Sequence, residues 1–282
     1  MFCFKRKKKK KFISEQGCEL MLASLKYEMF DEIKNLDFPQ IQNIEHTIEM
    51  LQNSNNSLCR FGDGELSLIA GQDIPLQKAS PLLSQRLKEV LSSSIDNLQI
   101  AIPRVVYGSK VGVNDHSKKF WRIHGKNFRQ QIEKYIDLEK QYYSAEVTLA
   151  YALYQSYDFE QYFSNLRDIW NDKDIVLVCG KNVFDQIKFN IFNNAKSTEN
   201  IHIANINSFD NYDYILKECL KMNKNALFIA IAGPTAKILA YDLTKKGYRI
   251  LDLGHIAKSY DWFKKSKDAL NSNNAHNFFA PD

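Results

Sequence analysis

The second half of the chain leaves little freedom in how it can fold. After Trp170 come four short apolar runs, "DIVLVCG", "NIHIANI", "ALFIAIAG" and "YRILDLG". Between them lie "NVFDQIKFNIF", "YDYILKECLKM" and "PTAKILAYDLTKKG", each with apolar residues at helical spacing. Runs that are apolar on both faces must be covered on both faces. Strands that alternate with helices run parallel. The pattern therefore predicts a mainly parallel sheet with helices packed on its two sides.

The first half continues this grammar. "FPQIQNIEHTIEMLQNS" carries Ile41, Ile44, Ile48 and Leu51 on one helical face, and "SLCRF" reads as a strand. In "ASPLLSQRLKEVLSSS", Ser80 is placed to cap a helix that starts at Pro81. "LQIAIP" is a strand stopped by Pro103. Residues 115–170 are rich in helical pattern and aromatic residues and read as a helical insertion. The fold class expected is α/β and Rossmann-like, one domain over residues 21–268. A basic tail, 1–20, and a polar tail, 269–282, flank it, and both are expected to be disordered.

Charge and cysteine content narrow the setting. The net charge is +5, and "KRKKKK" with the lysine after it supplies more than that. The body is then near neutral or slightly acidic, which argues against nucleic acid as a partner. The lysine block, flanked by Phe2, Phe4 and Phe12, is either a solvated tail or a contact with an anionic membrane surface. No apolar run reaches the roughly 18 to 20 residues of a membrane span, and no signal-like stretch follows the basic block. A cytoplasmic location is expected, with the lysine block as a route to the inner membrane face. Cys3, Cys18, Cys59, Cys179 and Cys219 form no CxxC pair and no zinc spacing, as expected of reduced thiols.

Ligands of such sheets bind beyond the carboxyl ends of the strands. Four segments fall there: "RFGDGE", "CGKN", "AGPT" and "LGHIAKSYDW". In the first, Asp63 and Glu65 are two residues apart and share a face if the segment is extended. Such a pair repels itself unless a divalent cation, Arg60 or solvent neutralises it. Mn2+ or Mg2+ needs only one or two carboxylates when phosphate oxygens complete its shell. Arg60 is suited to the same phosphates, and Gly62 leaves the spot open. The plainer alternative is a solvated turn with Asp63 capping a helix. Gly233, Pro234 and Thr235 begin a helix whose first amides suit a phosphate, or simply make a tight turn. Gly180 and Asn182 stand at another strand end, without a dinucleotide or P-loop pattern. His255 and Asp261 border the last strand end. Asp261, beside Trp262, is a candidate general base, with Glu146 and Asp252 the next acids to consider.

Taken together, these segments resemble the bacterial glycosyltransferases of the GT-D fold, a family associated with glycosylation of serine-rich repeat adhesins. The resemblance rests on "RFGDGE", "FNNAKS", "NSFDNYDYIL" and the long run "GPTAKILAYDLTKKGYRILDLGH", closed by "YDW". It covers roughly residues 40–265. It implies a metal-dependent enzyme moving a hexose, in particular glucose, from a UDP-sugar to a glycan on a protein or surface polysaccharide, with inversion. By position, Asp63 and Glu65 would hold the metal and diphosphate, His255 would border the donor, and Asp261 would be the base. Arg104, Ser259, "DQIKFNIF" and "SAEV" depart from the family pattern. They motivate one alternative, a nucleotide-sugar or carbohydrate binder that no longer catalyses.

If the lysine block anchors the chain, deleting residues 1–11 abolishes cosedimentation with anionic vesicles at low salt and leaves turnover of soluble substrates unchanged. Equal vesicle binding by both forms rejects the anchor.

Overall fold

The computed structural model describes residues 38–108, 110–267 and 278. The lysine block, Cys3, Cys18 and all of the C-terminal tail except Phe278 lie outside the described residues. The first part of the chain forms β1 (Gln40–Ile41), α1 (Ile44–Asn53), β2 (Ser57–Arg60), α2 (Asp63–Ile69), α3 (Pro81–Leu91) and β3 (Leu98–Ile102). The middle forms α4 (Asp115–Ile132), β4 (Gln141–Ser144), α5 (Ala150–Leu153) and α6 (Phe159–Asp168). The last part forms β5 (Asp174–Gly180), β6 (Ser197–Ile203), α7 (Tyr212–Cys219), β7 (Leu227–Ile231), α8 (Thr235–Lys245), β8 (Arg249–Asp252) and α9 (Ile256–Lys264).

Among the described residues, eight strands make one sheet in the order β1-β4-β3-β2-β8-β7-β5-β6. Every pairing between them is parallel. The sheet is covered on both faces, as the apolar strands require. Val176, Val178, Phe228, Ala230 and Ile250 face one layer, built from α2, α3, α4, α7 and α8. Ile175, Leu177, Leu227, Ile229 and Leu251 face the other, built from α1, α6 and α9. This is the period-two alternation of a strand buried on both sides. Cys59, Cys179 and Cys219 are buried free thiols. Among the described residues no helix is long and apolar enough to cross a membrane.

Local signals act as expected at the helix starts. Ser80 Oγ accepts the Leu83 amide at 3.2 Å with Pro81 in the first turn, and Asn43 Oδ1 accepts the His46 amide at 2.8 Å.

Two segments differ from the sequence expectation. The insertion is not wholly helical, because "QYYS" forms β4 and inserts between β1 and β3. Alternate residues Tyr142 and Ser144 are buried there, a period-two signal too short to stand out between helices. "NVFDQIKFNIF" is a series of turns rather than a helix. Tertiary bonds replace the helical ones. Trp170 Nε1 and Arg167 Nη1 donate to the Ile191 carbonyl. Asp261 Oδ1 accepts the amides of Lys188 and Phe189 at 2.8 and 3.0 Å. Its other oxygen meets Lys265 Nζ at 2.6 Å.

Asp261 is thus the cap of an irregular segment. Removing it leaves two amides without their acceptor, so Asp261→Ala should lose about 1 to 3 kcal/mol in urea unfolding. Parental stability combined with lost transfer activity would return Asp261 to the role of base.

Candidate active site

A cavity of about 550 Å³ opens beyond the carboxyl ends of the central strands. Arg60, Gly62, Asp63 and Glu65 reach it from the end of β2, and Gly180 from β5. Gly233, Pro234 and His255 reach it from the ends of β7 and β8. Residues up to 195 positions apart in sequence (Arg60 to His255) are thereby brought together by the parallel order β2-β8-β7-β5. Three expected site residues are not among its lining. Asn182 lies in the turn after β5, and Asp261 is committed as described. Thr235 is fully buried, its hydroxyl 2.7 Å from Ser208 Oγ. Ser208 lines the cavity in its place.

The carboxylate pair is not on an extended segment. Asp63 and Glu65 occupy the first turn of α2, where residues two apart do not face each other. Glu65 turns back on its own helix start: its Oε2 accepts the Gly62 amide at 2.8 Å, the carboxylate half of a capping box, since Gly62 has no side chain to return the bond. The charge that neutralises it comes from neither Arg60 nor solvent. Lys237, on α8, places Nζ 3.0 Å from Glu65 Oε1, 3.1 Å from Asp252 Oδ2 and 3.2 Å from the Gly233 carbonyl. Lys237 is 5% exposed and Asp252 1%.

Arg60 is tied into the same cluster. Its amide donates to Asp252 Oδ2 at 3.0 Å and its Nε to the Asp252 carbonyl at 2.8 Å. Nη1 donates to the Ala145 carbonyl at 3.2 Å, and Nη2 to the Gly254 carbonyl at 3.2 Å and Asp252 Oδ1 at 3.5 Å. The expected phosphate fork is therefore spent on protein oxygens. Its placement fixes the floor of the cavity.

Asp63 is the acid at the mouth. Asp63 is exposed at the mouth, and partial loss of water around its carboxyl, with the nearby Glu65, raises it above the usual range. Gly233 has a φ of +51°, in the left-handed region that favours glycine, so the chain can turn from β7 into α8 at the cavity wall. His255 is also left-handed, with φ +66° at the start of α9, a conformation concentrated at functional sites. The Gly254 carbonyl just before it is held by Arg60 and by Thr148 Oγ1 at 3.1 Å. On the far side the lining includes His116, Phe120, Trp121 and Glu146. The Glu146 carboxylate is 2% exposed as a residue and meets two neutral donors, the Val105 amide at 2.8 Å and the Ser144 hydroxyl.

A model of the GT-D family, described as "Glycosyltransferase GT-D fold", matches residues 58–277. This chain belongs to the GT-D fold glycosyltransferase family. Its sequence is 31% identical to a probable glycosyl transferase Gly of Streptococcus gordonii, over 89% of the chain and 38% of that protein. It is 28% identical to the glycosyltransferase GlyD of Streptococcus pneumoniae serotype 4, over 89% of the chain and 31% of that protein. The chain thus spans about a third of the length of these relatives. A solved domain of unknown function 1792, described as having a distinct glycosyltransferase fold, superposes with a TM-score of 0.78 at 28% identity, covering 88% of this chain and 86% of that one. A glycosyltransferase of the same domain type from Streptococcus sanguinis gives 0.76 at 30% identity, covering 82% and 86%.

The GT-D site can be tested for a divalent cation. Among the described residues no three histidine, cysteine or acidic side chains converge as a complete metal shell. Asp63 at the mouth and Glu65 behind it fit the partial set that Mn2+ or Mg2+ uses beside a diphosphate. Each Glu65 oxygen accepts one bond and retains a second lone pair.

Sequence reasoning missed Lys237, Ser208, Asn205 and His116. Lys237 had a signal: a lone lysine in "PTAKILA", a helix turn otherwise buried and apolar.

The acid–base cluster makes stability depend on pH in a defined sense. Burial disfavours the charge on Asp252, but Lys237 and Arg60 outweigh it and hold the carboxyl below its ordinary value of 3.8. Stability from a depressed carboxyl is complete above that value and drains as pH falls through the folded pKa. Burial likewise opposes charge on Lys237, while Asp252 and Glu65 outweigh it and raise its pKa above 10.5. That contribution is complete below 10.5 and is lost only as pH rises further. Lys237→Met should lose about 3 to 5 kcal/mol at neutral pH. With that cation gone the Asp252 carboxyl is held down less, so the stability lost on acidification should be smaller than in the parent. Urea unfolding across about pH 3 to 8 checks both; a parental acid limb contradicts the cluster's role.

Proposed function

We propose that the chain is a metal-dependent glycosyltransferase moving a hexose, in particular glucose, from a UDP-sugar to a glycan on a protein or surface polysaccharide, with inversion. The observation that carries this reading is the convergence on one cavity of an acidic helix start, a glycine-initiated helix and an independent buried carboxylate, each on a different strand end. Its support from relatives is their naming as glycosyltransferases.

The donor's diphosphate is assigned to the start of α8, where Gly233 and Pro234 line the cavity and the helix dipole favours an anion. Asp63 and Glu65 would hold Mn2+ or Mg2+, which when bound neutralises charge on the departing diphosphate. Lys237 keeps Glu65 in place beside it. The acceptor hydroxyl then enters from the side of α4, between Phe120, Trp121 and Glu146.

Proton removal falls to Glu146 rather than Asp261. A general base must reach the proton it takes. Asp261 is not among the cavity lining and is engaged with two amides and Lys265. Asp252 lines the cavity but lies between two cations. Glu146 lines it against neutral partners. Its carboxylate takes the proton as the acceptor oxygen bonds to the anomeric carbon and the glycosidic C–O bond to the diphosphate breaks on the opposite face.

Incubation with a panel of nucleotide sugars and Mn2+, followed by mass detection of the released nucleotide, tests the class of reaction. Slow sugar release is expected with UDP-glucose; binding without release from any donor indicates a non-catalytic binder. Glu146→Gln should cut transfer about a hundred- to ten-thousand-fold while UDP affinity stays within a few-fold. Parental transfer by that variant excludes Glu146 as the base.

A further inference from the structure

We infer that one row of α4 is the subsite for the acceptor sugar, with Phe120 as its platform and His116 and His124 as its polar edges; this rests on the glycosyltransferase reading above, with the acceptor on the α4 side. The three residues are spaced by four within Asp115–Ile132, so they stand in one line along the helix. The neighbouring row, Ser117, Trp121, Gly125 and Phe128, is buried and carries the packing of α4 on the protein body. The outer row is more open: His116 and His124 are exposed and Phe120 is half-buried. His116, Phe120 and Trp121 line the cavity, and the His124 ring lies 4.7 Å from that of Phe120. At its other end the row approaches the carboxylate pair, since α4 packs on α2 and His124 acts on the charge of Asp63. The imidazoles of His116 and His124 hold no hydrogen bond or ion pair among the described residues.

A pyranose fits such a row. It has a flat face of C–H groups and a rim of hydroxyls. The Phe120 ring, braced by Trp121 at 5.0 Å and an interplanar angle of 85°, offers an apolar plane of fixed orientation. The rise of an α-helix puts a polar group about 6 Å to each side of that platform, where the hydroxyls of a sugar laid on it fall. Imidazole nitrogens donate or accept, so they suit hydroxyls, which do both. Glu146, the base proposed above, lines the same side of the cavity, and a sugar on Phe120 can present a hydroxyl to it. The donor is assigned to the start of α8, at the end of β7, which leaves this row to the acceptor. The hydroxyl of a bare peptide would use neither the plane nor its edges.

Transfer kinetics of the full chain with UDP-glucose and Mn2+ test this, with the methyl glycosides of glucose, galactose and N-acetylglucosamine and an unglycosylated peptide containing serine and threonine as acceptors. The parent should use at least one pyranoside and not the peptide. Phe120→Leu keeps an apolar side chain and removes the plane. It should raise the pyranoside KM about three- to tenfold, the size of one aromatic contact, with kcat near the parental value. Phe120→Tyr, which keeps the plane, should hold KM at the parental level. His116→Ala should narrow the preference among the three pyranosides, and His116→Gln, which retains a donor and an acceptor, should restore it. A parental pyranoside KM in Phe120→Leu, a parental preference in His116→Ala, or transfer to the peptide alone overturns the subsite and leaves the glycosyltransferase reading intact. Absence of sugar release and of transfer from every donor overturns both.

Discussion

Asp252 sits between Lys237 and Arg60, and the site end of the sheet depends on that contact. Burying four charges is costly, and a network of this kind is seldom a net source of stability over apolar packing. What it supplies is position. Arg60 belongs to β2, Asp252 to β8, Lys237 to α8 and Glu65 to α2, so one cluster ties together four elements at the site end, in addition to the β2–β8 ladder and the apolar packing. Apolar contact tolerates sliding, whereas bonds of 2.8 to 3.2 Å from a charged side chain do not. The cavity mouth inherits that rigidity: Glu65 cannot leave Lys237 without exposing a buried charge.

Much of the fold was legible because its signals are local. A strand buried on both faces cannot be disguised, and the four runs after Trp170 all became parallel strands, although β6, at the sheet edge, buries only Ile201 and Ile203. The Ser80–Pro81 start was read from two residues because a cap acts within one turn. The failures share one cause. "NVFDQIKFNIF" has helical spacing, but its amides are claimed by Asp261 from more than 70 positions away, and no local pattern reports that. β4 is four residues inside a helical region, and only its neighbours β1 and β3 make it a strand.

The site was legible by location and less so by role. Strand ends were the right place to look, and ten of the residues singled out line one cavity. Their partners were not visible, since opposite charges find each other across the sheet rather than along the chain. Arg60 looked free for phosphate and is held by protein oxygens. Asp261 looked poised beside an aromatic surface and is instead a cap. The left-handed His255 had a partial signal in its place between Gly254 and an apolar residue, yet its backbone angle follows from Arg60 and Thr148 gripping the carbonyl of Gly254.

The pairing of β2 with β8, Leu58 opposite Leu251, has a consequence for biosynthesis. Strand β2 is made early, and its neighbour on that side is nearly the last strand to leave the ribosome. Until then β2 presents an unpaired edge, the kind of surface on which chains associate wrongly. Long-range parallel pairing is also slow, because the loop must close before any contact rewards it. A nascent chain halted before Leu251 has no floor under its cavity, and the half already made is the half most in need of a chaperone.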